Sequence, residues 1–148
     1  MDDPRAKMQE ALKQAMLTKD NHTRDAIRLL QSLMKQVEVD ERRELSGDDV
    51  VQIIQKEVKR RQESIEEARR VGREDLVEEN EVVVRVANQF LPRQLSRDEI
   101  AKIVTDTIAE TGVTSAKEMG KLMGALMPKV KGLADGKLVN EVVREQLK

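Results

Sequence analysis

Histidine and cysteine carry much of the acid–base, nucleophilic and metal chemistry of proteins, and this 148-residue chain has one histidine and no cysteine. Disulfides, thiolate nucleophiles and thiolate metal sites are thereby excluded. His22 lies in the polar stretch Lys19-Asp20-Asn21-His22-Thr23, between two helical patterns. Acid–base work needs a partner and a pocket. The sequence shows neither, so His22 reads as an exposed turn residue. A metal would have to take carboxylates, with or without His22. Glu66, Glu67, Asp75, Glu78, Glu79 and Glu81 are numerous enough, but they lack EF-hand spacing and any Glu-x-x-His pair. They read as a solvated acidic face. No catalytic residue, metal or cofactor is expected. Gly120-Lys121 lacks the upstream glycine, the Ser or Thr and the preceding strand of a phosphate loop.

What remains is recognition of an anion. Residues 119 to 136 read MGKLMGALMPKVKGLADG and hold four of the seven glycines, Gly120, Gly124, Gly132 and Gly136, with Lys121, Lys129 and Lys131. Two glycines inside a helix cost about 1 kcal/mol each against alanine, so something is expected to approach the backbone there. One candidate is a neighbouring helix and the other is a phosphate; we read Gly120 and Gly124 as allowing close helix packing. The following PKVKGLADGK is read as a loop, with Lys129, Lys131 and Lys137 around two glycines, leading into a helix N-terminus. Free N–H groups there favour anions, and lysines add attraction for a phosphate backbone. A secondary basic face is expected on the second helix, where Arg24, Arg28 and Lys35 share one side, with Arg42 and Arg43 just beyond; the plainer reading is a solvated face.

The elements that would position these residues all read as helices. Apolar residues recur at helical spacing over about 4–19, 23–39, 48–71, 73–90, 97–111, 116–127 and 137–147. Asp3 can cap the first helix and Pro4 suits its first turn. Ser46 with Asp49, Ser96 with Glu99 and Ser115 with Glu118 resemble capping boxes. Gly72 and Gly112 read as helix stops, and Pro92 and Pro128 as breakers. The far half of the third helix, KRRQESIEEARR, reads as too polar for deep burial. The run Val82-Val83-Val84-Arg85-Val86 is β-branched, but it has no partner strand and is kept helical. No internal repeat or low-complexity tract is apparent. We expect an all-α chain: an N-terminal four-helix domain with a long helical hairpin over 1–92, and a small three-helix domain over 96–148.

Composition agrees. The only aromatic residue is Phe90, so the core must be aliphatic, which suits helix packing better than sheet. The net charge of −1 argues against a general nucleic-acid coat protein. The charges are nevertheless blocked: residues 56–73 carry seven bases and four acids, 74–81 five acids and no base, and 115–137 five lysines and two acids. No stretch approaches a membrane span, and the charged N-terminus is neither a secretory nor a transit signal. A cytoplasmic setting is expected.

Three segments carry a resemblance: VDERRELSGDDVVQIIQKEVKRRQESIE at 39–66, QFLPRQLSRDEI at 89–100, and TGVTSAKEMGKLMGALMPKVKGLADGKLVNEVVREQL at 111–147. They resemble the YqeY family, the GatB/YqeY domain proteins, over essentially the whole chain. The pattern is similar to the C-terminal tail domain of GatB, a subunit of the tRNA-dependent amidotransferase that converts Glu-tRNA or Asp-tRNA to the amide form. That tail is a helical appendage that contacts tRNA. The resemblance therefore implies an RNA-contacting helical module tied to a carbon–nitrogen ligase with glutamine as amido donor. It does not imply a chain that is catalytic by itself.

The expected tRNA contacts are Lys121, Lys129, Lys131, Gly132, Gly136, Lys137 and Arg144. With one aromatic residue, RNA would be read through shape and phosphate rather than by base stacking. Possible partners are tRNA and amidotransferase subunits; no membrane and no DNA are expected. The alternative is a protein-interaction module that docks through the charged helical hairpin without RNA.

Overall fold

The computed structural model describes residues 3–147. Among them lie seven α-helices, α1 (Arg5–Leu17), α2 (Asn21–Glu41), α3 (Gly47–Arg70), α4 (Glu74–Asn88), α5 (Arg97–Thr111), α6 (Met119–Val130) and α7 (Gly136–Gln146), plus a 3-10 turn at Ala116–Glu118. No strand occurs among the described residues, and Val82 to Val86 are helical. The chain divides into two compact units, Met1–Leu91 and Pro92–Lys148.

In the N-terminal unit, the longest mutual packing is between α3 and α4, and α2 packs on α4 and α1. The core joins Met8 of α1, Ile27, Leu30 and Met34 of α2, Val50, Ile54 and Val58 of α3, and Val83, Val86 and Ala87 of α4, closed by Phe90. Burying side chains of this size contributes about 1.5–3 kcal/mol each. A smaller cluster of Ile65, Ala68 and Val77 lies where α3 meets the first turns of α4, so the polar far half of α3 is buried along one stripe after all. Glu57 on α3 is only 6% exposed. Burial pushes its carboxyl up, but hydrogen bonds from Arg60 and Arg61 outweigh that and hold it below the ordinary range. Arg61 also donates to Asn80 on α4 at 3.0 Å, and Asn80 donates to the Leu76 carbonyl at 2.7 Å. The network is closed.

The α3–α4 connection is a Schellman turn. Gly72 takes φ +71°, Gly72 N–H donates to Arg69 O at 3.2 Å, and Arg73 N–H donates to Ala68 O at 2.9 Å. In the C-terminal unit α6 and α7 both pack against α5. Their core holds Ile100, Val104, Val113, Leu122, Leu126, Val130, Val139, Val142, Val143 and Leu147. Gly112, at φ +71°, ends α5.

Several boundaries differ from the sequence reading. Asp20 caps α2 by accepting from Thr23 N–H at 3.1 Å, so Asn21 and His22 sit in a helical first turn rather than in a connecting one. Ser115 makes no capping hydrogen bond; Glu118 instead accepts from Thr114 at 3.3 Å. Pro128 does not stop α6, which continues to Val130. Near the end of a helix a proline loses only one hydrogen bond, to the residue four places earlier.

One short pattern does recur. Arg43-Glu44-Leu45-Ser46-Gly47-Asp48-Asp49 opens α3, and Arg93-Gln94-Leu95-Ser96-Arg97-Asp98-Glu99 opens α5. In both, the serine Oγ accepts from the N–H three residues on, at 3.1 Å, and the acid accepts the serine N–H. In both, the preceding arginine clasps that acid at 2.7 Å.

Candidate nucleic-acid interface

α6 carries the site. Leu122, Leu126 and Val130 form its buried face. With about 3.6 residues per turn, Gly120 and Gly124 fall together on the opposite side, near the helix-ending Lys131, with Lys121 and Pro128 beside them. Both glycines are exposed, and a Cβ built on either meets nothing within 4 Å. Their reading as helix-packing glycines is therefore corrected: α5 lies against the other face. Gly124 has one internal reason to be glycine. Residue 128 is proline and has no N–H, so the Gly124 carbonyl lacks its helical donor and must tilt away from the proline ring. Gly120 has no such neighbour. Each glycine costs about 1 kcal/mol against alanine, and no contact among the described residues offsets it.

The expected cations separate into two groups. Lys129 turns to α5: its Nζ donates to Thr107 Oγ1 at 2.9 Å and pairs with Glu110 at 2.8 Å. Thr107 is fully buried, so Lys129, though still solvent-exposed, ties α6 to α5 and turns away from the glycine face. Lys121, Lys131, Lys137 and Arg144 are exposed and form no ion pair among the described residues. The same holds for Lys117, one turn before Lys121, which the sequence reading counted as charge but did not assign to the site.

The loop into α7 also differs. Gly132 takes φ +76° and is buried. Its carbonyl accepts from Gln94 at 3.0 Å, and the next carbonyl, of Leu133, accepts from Leu95 N–H at 2.8 Å. The turn is bolted to the start of its own unit rather than presented outward. Gly136 is the first residue of α7 instead of a loop residue. Asp135 caps that helix, its carboxylate accepting from Lys137 N–H at 3.3 Å. An acidic cap already answers the positive helix end. Among the expected contacts, positive charge outside an ion pair therefore rests on the side chains of Lys121, Lys131, Lys137 and Arg144, with Lys117.

The secondary basic face is neutralised in part, at Arg24 and Arg43. Arg24 pairs with Asp25 at 2.9 Å, and Arg43 with Asp49 at 2.7 Å and Glu41 at 3.4 Å. Arg42 is the left-handed end of α2, at φ +52°. Only Arg28 and Lys35 stay exposed on α2 itself; the Arg28 guanidinium lies 3.9 Å from the Met16 sulfur. The arginine clasp holds the Asp49 carboxyl far below its ordinary value, helped by the Ser46 hydrogen bonds. The same clasp by Arg93 takes Glu99 down to about 2. Among the described residues no three His, Asp or Glu side chains are grouped to hold a metal ion. No helix among the described residues is long and apolar enough to cross a membrane.

Residues 5–147 match the family described as Yqey-like protein. The chain belongs to the YqeY family. It is 32% identical over 124 residues to a glutamyl-tRNA(Gln) amidotransferase subunit of Thermococcus sibiricus, covering 80% of this chain and 19% of that protein. It is 44% identical over 59 residues to the subunit of the same name in Methanocaldococcus jannaschii, covering 36% of this chain and 9% of that protein. The chain thus spans less than a fifth of either amidotransferase subunit. It is 30% identical over 145 residues to "Altered inheritance of mitochondria protein 41, mitochondrial" of Pyrenophora tritici-repentis, covering 94% of this chain and 78% of that protein. The relation to an amidotransferase subunit and the all-α architecture therefore stand as the sequence reading had them.

Proposed function

We propose that this YqeY chain is a tRNA-contacting helical module that works alongside a tRNA-dependent amidotransferase in the cytoplasm, without catalytic activity of its own. The observation that carries the reading is the exposed face of α6. Gly120 and Gly124 bare the backbone there with none of the described residues against a Cβ position, and Lys117, Lys121 and Lys131, none in an ion pair among the described residues, surround them. A surface without side chains lets a phosphate chain lie close to the helix, and lysines around it supply the charge. Lys137 and Arg144 on α7 extend the contact. Similarity to two subunits named for a glutamyl-tRNA(Gln) amidotransferase supports the reading.

The test is the salt dependence of tRNA binding, read by fluorescence anisotropy. Each lysine–phosphate contact contributes about 0.7–0.9 to the slope of log affinity against log salt. The variant Lys121→Ala/Lys131→Ala/Lys137→Ala should flatten the slope by roughly 2–3. It should weaken all tRNAs about equally, because phosphate contacts carry no sequence information. A wild-type slope in the variant would overturn the reading.

A further inference from the structure

The N-terminal unit carries a groove that the RNA reading does not use. It lies between the first half of α2 and the first half of α4, with a volume of about 670 Å³. Its floor is apolar: Ala26 and Leu29 from α2, Val82 and Val83 from α4. Its walls are acidic on both sides, Asp25 on α2 and Asp75, Glu78 and Glu79 on α4. His22 of α2 also lines the groove, and one guanidinium, that of Arg61, reaches it; Arg61 is already held by the buried Glu57 at 2.8 Å and by Asn80 at 3.0 Å. Asp25 and Asp75 have arginines of their own, Arg24 and Arg73. Glu78 and Glu79 are exposed and form no ion pair among the described residues.

A second groove, between α2 and α3, provides the contrast. Its lining matches Glu41, Asp49 and Glu57 with Arg43, Lys56 and Arg60. Charge there points to no particular occupant. In the α2–α4 groove Asp25 and Asp75 are answered by their own arginines and Arg61 is committed to Glu57, which leaves Glu78 and Glu79 of α4 as the charge that attracts cations and repels a phosphate chain. An apolar floor beside the unanswered Glu78 and Glu79 asks for an occupant with an apolar stripe and bases on the flank that meets α4.

We propose that the α2–α4 groove docks a basic amphipathic helix of a partner protein. From Asp75 to Val83 the groove runs about 12 Å along α4, or roughly two helical turns. The docked segment presents apolar residues at i, i+3/i+4 and i+7 to Leu29 and Val82, and Lys or Arg on the flank that faces Glu78 and Glu79. This is the helix-in-groove mode of recognition, with charge setting orientation and encounter rate. The site lies wholly within the N-terminal unit and shares no residue with the α6 surface.

A fluorescein-labelled peptide of about 18 residues, roughly five turns, built from Leu and Lys at this spacing, tests the inference on the full chain. The expected result is saturable binding that Glu78→Gln/Glu79→Gln weakens about three- to tenfold, as expected for loss of two part-exposed pairs. Circular dichroism should be unchanged in that variant, since both glutamates are exposed. A scrambled peptide of the same composition should bind at least about tenfold more weakly, because it keeps the charge and loses the apolar stripe. The variant lacking Lys121, Lys131 and Lys137 should bind the peptide as the wild type does, which separates this outcome from the RNA reading. Equal binding of the ordered and scrambled peptides would reduce the groove to a charge effect and overturn the proposal. So would a wild-type affinity in the glutamine variant, or no binding of the ordered peptide.

Discussion

Arg43-Glu44-Leu45-Ser46 and Arg93-Gln94-Leu95-Ser96 open α3 and α5 by the same device, yet the units those helices belong to offer surfaces of opposite charge. In the N-terminal unit α2 and α4 pair around a concave, acidic groove with an apolar floor. In the C-terminal unit α6 turns outward a face with glycines where side chains would stand and lysines around them. The shared start is a local solution to unsatisfied backbone N–H groups, and it fixes where a helix begins whatever is built on top. The surfaces are tertiary. They depend on which face of each helix a neighbour covers.

The glycines are the sharpest point at which to break that comparison. Gly120→Ala/Gly124→Ala should raise thermal stability by about 1–2 kcal/mol, since each helical glycine costs about 1 kcal/mol and an added Cβ meets open space. Gly124 should give the smaller share because of Pro128. The same variant should bind tRNA more weakly, as the methyl groups hold the phosphates off. A gain in stability with unchanged tRNA affinity would remove the glycine face from the interface. It would leave the two units differing in charge alone.

The helix starts come next. Ser46→Ala and Ser96→Ala should each cost about 1 kcal/mol in denaturant unfolding. The losses should be similar, because the two caps have the same 3.1 Å geometry and the same arginine clasp. Clearly unequal losses would show that one of the repeated starts is only a likeness.

Acid probes the same pair. Glu99 ionises at about 2 in the folded chain against an ordinary 4.5, and Asp49 is lowered as well. A carboxylate with a depressed folded value stabilises above its unfolded value and loses that contribution as pH falls through the folded one. Stability from both clasps should therefore be complete above about pH 5 and decline progressively below it. Neutral Glu99→Gln, measured by thermal melts across that range, should show a shallower decline. An equally steep decline would assign the acid sensitivity to other carboxylates.

The smallest effect concerns Lys129. Lys129→Ala should cost roughly 0.2–1 kcal/mol, the range of surface ion pairs, and should leave the salt slope of tRNA binding unchanged. A flattened slope would return Lys129 to the interface and show that its pair with Glu110 opens on binding.

The sequence by itself determined what depends on a few neighbouring residues. Apolar spacing set all seven helices, and Ser46, Ser96, Gly72 and Gly112 marked ends that the structure shows within a residue, because a cap or a left-handed stop is completed inside one turn. Family membership was legible for the same reason: ordered short motifs need no fold to be recognised. Tertiary structure decided the rest. Lys129 and Lys131 are two residues apart in one lysine-rich run, yet about 200° of helical rotation sends one to Thr107 and Glu110 and the other to solvent. Gly120 and Gly124 read as packing glycines until α5 was seen on the opposite side of α6. Glu78 and Glu79 read as solvated charge until Leu29 and Val82 placed an apolar floor between acidic walls. A periodic pattern tells which residues share a face. Only the neighbouring helices decide which faces stay open, and a binding surface is made of those.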